Sequence, residues 1–265
     1  MKPTPWLREE ADDRLQGLFA ENLDTVHKTV RDLVERCLLD PEIEELLIET
    51  LQAAISQGND ETQASVWMTV VLGELESREA VPVLVQALSF HDEMVSMAAV
   101  HSLRRIGLPA FEALLEILDG EGLNGDTFTA MAGVLRGVTL HDYPQILEQV
   151  ESALLRYVIH PPQGRDGYRC METAALTLAR MGVARARQPI ERVLKDRYDS
   201  VHAYLQEALD ILEEHPQGIP CDRNDSWDGE FRWAAGDQLP GGELENLGKP
   251  AKPFEGRAQS GDPHH

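Results

Sequence analysis

The stretch that decides the fold is Ala80-Val-Pro-Val-Leu-Val-Gln-Ala-Leu88, followed by Asp92-Glu-Met-Val-Ser-Met-Ala-Ala-Val-His-Ser-Leu-Arg-Arg-Ile-Gly107. Its first half opens on a proline, favoured at the first helical position because its missing N–H would have no partner there. Leu84, Val85 and Leu88 then fall at helical spacing, an apolar stripe that needs a neighbour to cover it. The second half opens on Asp92, whose short carboxylate accepts hydrogen bonds from the free N–H groups of a first helical turn. It closes on Ile106-Gly107, and Gly is the usual stop. Two short helices, each apolar on one face, are the reading.

Working outward, the ending of that second helix recurs. Leu72-Gly-Glu-Leu75, Leu103-Arg-Arg-Ile106, Leu135-Arg-Gly-Val138, Leu178-Ala-Arg-Met181 and Leu209-Asp-Ile-Leu212 are separated by steps of 31, 32, 43 and 31 residues. Acidic caps are expected at Asp60, Asp92, Asp126 and Asp199, and helix-opening prolines at Pro82, Pro109, Pro144 and Pro189. Small pairs in the capped helices (Ala98-Ala99, Ala130 with Ala132, Ala174-Ala175) permit close helix approach. No run alternates with period two over a useful length. The chain is therefore expected to be all-α: an α-solenoid, a right-handed superhelix of stacked antiparallel helix pairs.

On these residues the chain resembles the HEAT-repeat family, in particular the short bacterial type called phycocyanobilin-lyase HEAT-like repeats. The pattern departs at Ser96, where that family usually carries Arg. The resemblance spans roughly 60–214. Residues 1–58 read as a divergent N-terminal repeat and cap, with Pro41 ahead of Ile43, Leu46, Leu47 and Leu51, and 59–214 as the repeat solenoid. The Gly- and Pro-rich remainder, 215–265, reads as a mostly disordered tail around the aromatic island Trp227, Phe231 and Trp233.

Composition narrows the function. Against 46 Asp and Glu stand 24 Lys and Arg, a formal charge of −22. Nucleic acid is held mainly through its phosphates by cations, and anionic lipid repels an acidic chain, so neither is an expected partner. No secretory signal or membrane span is legible. Cys37, Cys170 and Cys221 are odd in number and widely spaced, which suits a reduced cytoplasm.

Three enzymatic alternatives arise from related repeat proteins. Deoxyhypusine hydroxylase, built of similar repeats, binds two irons through His-Glu dipeptides at equivalent positions. Here no His precedes Glu, and His91-Asp92 and His141-Asp142 occupy inequivalent positions where the aspartates read as caps. Bilin-lyase or other chromophore- or metal-handling activity rests on the repeat name alone. A DNA-glycosylase reading needs a basic groove. No nucleophile elbow, phosphate-cradling loop or HExxH motif occurs. No catalytic residue, metal ligand or cofactor is assigned.

The function expected is that of a non-enzymatic, monomeric interaction scaffold for a protein with a basic or polar surface. The family resemblance implies that the second helices line the inner face of the superhelix. Their exposed positions would be Gln86, Glu112, Glu116, Gln145, Glu148, Glu191 and Arg192. The 43-residue step reads as an insertion over 159–169, a surface loop carrying Arg165, Tyr168 and Arg169 toward a partner. Trp227, Phe231 and Trp233 would either bind a partner or fold back over Leu205, Leu209 and Leu212.

Overall fold

The computed structural model describes residues 12–57, 62–120, 123–138, 143–196 and 202–219. Within them the chain forms α1 (Leu23–Cys37), α2 (Pro41–Gln57), α3 (Thr62–Glu74), α4 (Val81–Ala87), α5 (Glu93–Ile106) and α6 (Leu108–Leu118). There follow α7 (Gly125–Leu135), α8 (Pro144–Ile159), α9 (Arg165–Arg180), α10 (Arg187–Asp196) and α11 (His202–Glu214). Short 3-10 turns lie at Gln16–Phe19 and Ala184–Ala186, and the described residues hold no strand.

The helices stack in two layers. Odd-numbered helices pack each on the next (α1, α3, α5, α7, α9, α11), and the even-numbered ones form a second ladder alongside (α2, α4, α6, α8, α10). One hydrophobic core runs without interruption from Leu15 to Leu212. The recurring leucines mark its register: Leu72, Leu103, Leu135 and Leu178 are fully buried at equivalent places in the first layer, and Leu209 is buried at the next. Burying each such side chain contributes roughly 1.5–3 kcal/mol, so the period read in the sequence is the period of the core. Ala98, Ala99, Ala132, Ala174 and Ala175 are likewise fully or almost fully buried, which lets first-layer backbones approach closely.

Helix starts follow the expected chemistry with one change. Asp92 caps α5, accepting from the N–H groups of Met94 (2.9 Å) and Val95 (3.2 Å). Pro41 and Pro144 open α2 and α8, while Pro82, Pro109 and Pro189 sit in the first turns of α4, α6 and α10. The cap of α7, however, is Asn124, which accepts from Thr127 N–H at 2.8 Å. Asp126 lies inside the first turn, where its charge still favours the positive end of the helix. Asp60 and Asp199 lie outside the described residues.

The 43-residue step is not a loop. Its extra residues lengthen α8 and α9 to 16 residues each, leaving only 160–164 as connection. Gly167 sits within the first turn of α9, where the Pro162 carbonyl occupies the space into which a Cβ would project. Arg165, Tyr168 and Arg169 are thus helical residues on a first-layer helix, held on a rigid element instead of a mobile insertion.

Beyond α11 the chain turns at Gly218 (φ 84°) and Ile219 donates its N–H to the Arg180 carbonyl at 2.8 Å. Leu205, Leu209 and Leu212 are buried. Trp227, Phe231, Trp233 and the remainder of the tail lie outside the described residues, as do residues 1–11.

Candidate functional site

Two surfaces draw together the sequence-derived candidates. The first is the solvent side of the second ladder. Gln86 on α4, Glu112 and Glu116 on α6, Gln145 and Glu148 on α8, and Arg192 on α10 are exposed; Glu191 is half-buried. Adjacent rungs are cross-linked here. Gln52 of α2 donates from Nε2 to Oε1 of Gln86 at 2.7 Å. Arg185, in the turn before α10, reaches Glu151 of α8 at 2.7 Å. Glu191 pairs with Arg187 only at the 4.0 Å limit. By contrast Glu112, Glu116 and Glu148 enter no ion pair among the described residues. The sequence reading passed over α2, where Glu45 and Glu49 are also exposed, four residues apart on the helix N-terminal to Gln52. The i,i+4 spacing of acidic residues behind Pro41 was the signal available.

The second surface lies on the other layer. A groove of about 960 Å³ is lined by Asp126 and Thr129 of α7, by the outward stripe of α9 and by Tyr204 of α11. The α9 stripe supplies Arg165, Tyr168, Arg169, Glu172 and Thr173. Residues at this spacing share one helix face. Along its α7 edge the groove is closed by pairing: Arg169 Nη1 meets Asp126 Oδ1 at 2.6 Å, and the hydroxyls of Thr129 and Thr173 are 3.2 Å apart. Asp166 accepts from the Gly125 N–H at 3.4 Å. Both tyrosines protrude, Tyr168 being 39% and Tyr204 50% exposed. Burial raises the carboxyl pKa of Glu172, with the Arg169 charge acting against it. A contiguous depression of about 580 Å³ continues toward α5 past Met97 and Val100 and shares Asp126, Thr129 and Arg169 with the groove. Structure therefore brings Arg165, Tyr168 and Arg169 together with each other and with Tyr204, and separates them from the second-layer row.

A third hollow, of about 570 Å³, lies between the α6–α7 connection and the end of α8. Arg156 fills part of it, donating to the Leu118 carbonyl and pairing with Asp119, both at 2.8 Å. Tyr157 donates its hydroxyl to the same carbonyl at 3.2 Å. Arg156, Asp119 and Tyr157 thereby hold the connection to α8.

Potential reactive groups are occupied or buried. Cys37 and Cys170 are free thiols, and burial pushes each up to about 11, so neither is a thiolate at neutral pH. Histidine His27 is buried edge-on to Trp67, ring centroids 5.6 Å apart, and burial lowers its pKa to about 4. His91 is exposed and lies 4.3 Å from the Phe90 ring, while its neighbour Asp92 is the cap. His141 and Asp142 lie outside the described residues. Among the described residues no group of three or more His, Cys, Asp or Glu side chains is placed to hold a metal ion, and no helix is long and apolar enough to cross a membrane.

The two-layer stack makes this an α-solenoid protein. Residues 48–122 match the family model of HEAT repeats. No curated protein matches the chain. Solved structures with related architecture include a designed armadillo repeat protein in complex with the peptide (KR)4, at 16% identity, covering 77% of this chain and 99% of that one, with a TM-score of 0.38. They also include the complex of CpcE and CpcF of phycocyanin lyase from Nostoc sp. PCC7120, at 16% identity, covering 75% and 93%, with a TM-score of 0.32.

Proposed function

We propose that this chain is a non-enzymatic interaction scaffold whose second-layer face receives a protein with a basic or polar surface. The observation that supports this most is the set Glu112, Glu116 and Glu148: exposed on two adjacent helices and unneutralised among the described residues. Glu112 and Glu116 stand one helical turn apart, where like charges repel and cost a few tenths of a kcal/mol. Stacking on one continuous core fixes the spacing of the helices that carry them. A basic partner relieves the repulsion, and the chain's charge of −22 steers such a partner inward. Glu45 and Glu49 extend the same acidic row to α2, and Arg192 and Lys195 end it at α10. Free, buried thiols suit a reducing cytoplasm, and the chain acts there as a monomer.

Charge reversal tests the reading. The double variant Glu112→Lys with Glu116→Lys should lose salt-sensitive capture of its partner while keeping its helical content. If every captured protein stays bound, the second-layer face is not the binding face.

A further inference from the structure

The first-layer groove divides into two unlike halves. On the α7 side Asp126 pairs with Arg169 and the Thr129 and Thr173 hydroxyls meet. On the α11 side the groove holds Tyr168, Glu172 and Tyr204. Tyr168 and Glu172 are four residues apart on α9 and therefore neighbours on one face. Tyr204 comes from the adjacent first-layer helix, and α9 and α11 pack side by side. Glu172 is half-buried and no ion pair is recorded for it among the described residues, whereas Arg169, the cation beside it, is already held by Asp126.

We infer that Tyr168, Glu172 and Tyr204 form a receptor for an arginine side chain of a partner polypeptide. Aromatic faces attract a guanidinium through the ring quadrupole, and a partly desolvated carboxylate in the same groove supplies a charged acceptor. Arginine is favoured over lysine because its planar, weakly hydrated guanidinium both stacks on a ring and bonds a carboxylate with two donors. Arg165 lies at the N-terminal end of the stripe and Leu176 at its C-terminal end. Burial of Glu172 accords with this, since its raised pKa marks a carboxylate that a cation would stabilise. The neighbouring depression, of mixed polar and apolar lining past Met97 and Val100, gives the rest of an extended peptide a surface to lie on. The inference rests on the reading of the chain as a protein-binding scaffold, but it names a different face from the second-layer row.

Fluorescence anisotropy of a fluorescein-labelled (Gly-Arg)4 peptide with the full chain tests it, alongside (Gly-Lys)4 and (Gly-Glu)4. Binding should follow the order arginine, lysine, glutamate. Glu172→Gln and Tyr204→Ala should each weaken the arginine peptide by about threefold to tenfold, and Tyr204→Phe, which keeps the ring, should not. Both positions are at least partly exposed, and unchanged melting curves would show that the variants fold. Equal affinity of the wild-type chain and both weakening variants overturns the pocket, as does failure of the arginine peptide to bind. Loss in Glu112→Lys with Glu116→Lys but not in Glu172→Gln or Tyr204→Ala overturns the pocket and leaves the second-layer reading standing. The reverse pattern supports the pocket and counts against the second-layer row.

Discussion

Ser102 of α5 donates its hydroxyl to the Thr69 carbonyl of α3 at 2.8 Å, and both groups are buried. One turn further along α3, Gly73 lies under the same serine: a Cβ built there would come within 2.6 Å of Ser102 Cβ and 2.8 Å of its Cα. Two first-layer helices are thus in near backbone contact at a point separated by one repeat. Close approach of this kind explains why the core can be continuous with small residues at its centre.

Gly73→Ala therefore carries two opposed effects. Helix propensity favours alanine by roughly 0.5–1 kcal/mol, while overpacking in a tight core costs about 1–3 kcal/mol. We expect net destabilisation of about 1–2 kcal/mol, seen as a melting temperature lowered by several degrees. Gly133→Ala is the control, since its Cβ would meet only Val100 Cγ1 at an ordinary 3.6 Å. That variant should melt at the same temperature or slightly higher. Equal losses in both would show that packing at Ser102 is not the cause.

Leu103→Asp probes the register of the whole stack. Leu103 is fully buried in α5 between two neighbouring first-layer helices, where a lone carboxylate costs several kcal/mol. Because the repeats share one core, far-ultraviolet circular dichroism should report loss of helix well beyond α5. A full helical signal with an unchanged melting temperature would refute the register.

His27 should make stability fall in acid. Its pKa drops from the ordinary 6.5 to about 4 in the folded chain because burial beside Trp67 disfavours the imidazolium. Between those values the unfolded chain binds the proton and the folded chain does not, so the stabilising contribution present above pH 6.5 is lost as pH falls toward 4. The effect is on the order of 1–3 kcal/mol. Urea titrations of wild type and His27→Phe at pH 7.5 and pH 5 separate it from the carboxylates: the variant should lose less stability on acidification. Identical losses would remove His27 as the source.

Thiol labelling checks the burial of the cysteines. In native protein at pH 8, Cys37 and Cys170 should resist iodoacetamide and react fully only in denaturant, as read by peptide mass spectrometry. Rapid native labelling at either site would mean that the helices around it open.

Much of the fold was legible because its signals are local and repeated. Asp92 caps its helix with no help from tertiary structure, and the leucines at 72, 103, 135 and 178 recur because each repeat must bury the same point. Two readings failed where a local signal was overridden. Asp126 resembled a cap, yet Asn124, two residues earlier, has the extended backbone that capping needs. Gly167 with Pro161, Pro162 and Gly164 resembled a loop, yet Gly167 is helical and makes room for the Pro162 carbonyl. The candidate site was less accessible. Arg165, Tyr168 and Arg169 drew notice by their chemistry, but Tyr204 and Glu172 join them only once α9 and α11 are packed together. No short-range pattern announces a pocket built across a repeat boundary.

The most direct measurement of the central claim is a carboxyl-labelling footprint of the chain, free and bound to its captured partner, read by peptide mass spectrometry. The account predicts that Glu112, Glu116 and Glu148 lose reactivity in the complex while the outward carboxylates of α11, Glu207 and Asp210, do not. A complex in which those three second-layer carboxylates stay fully reactive would contradict it.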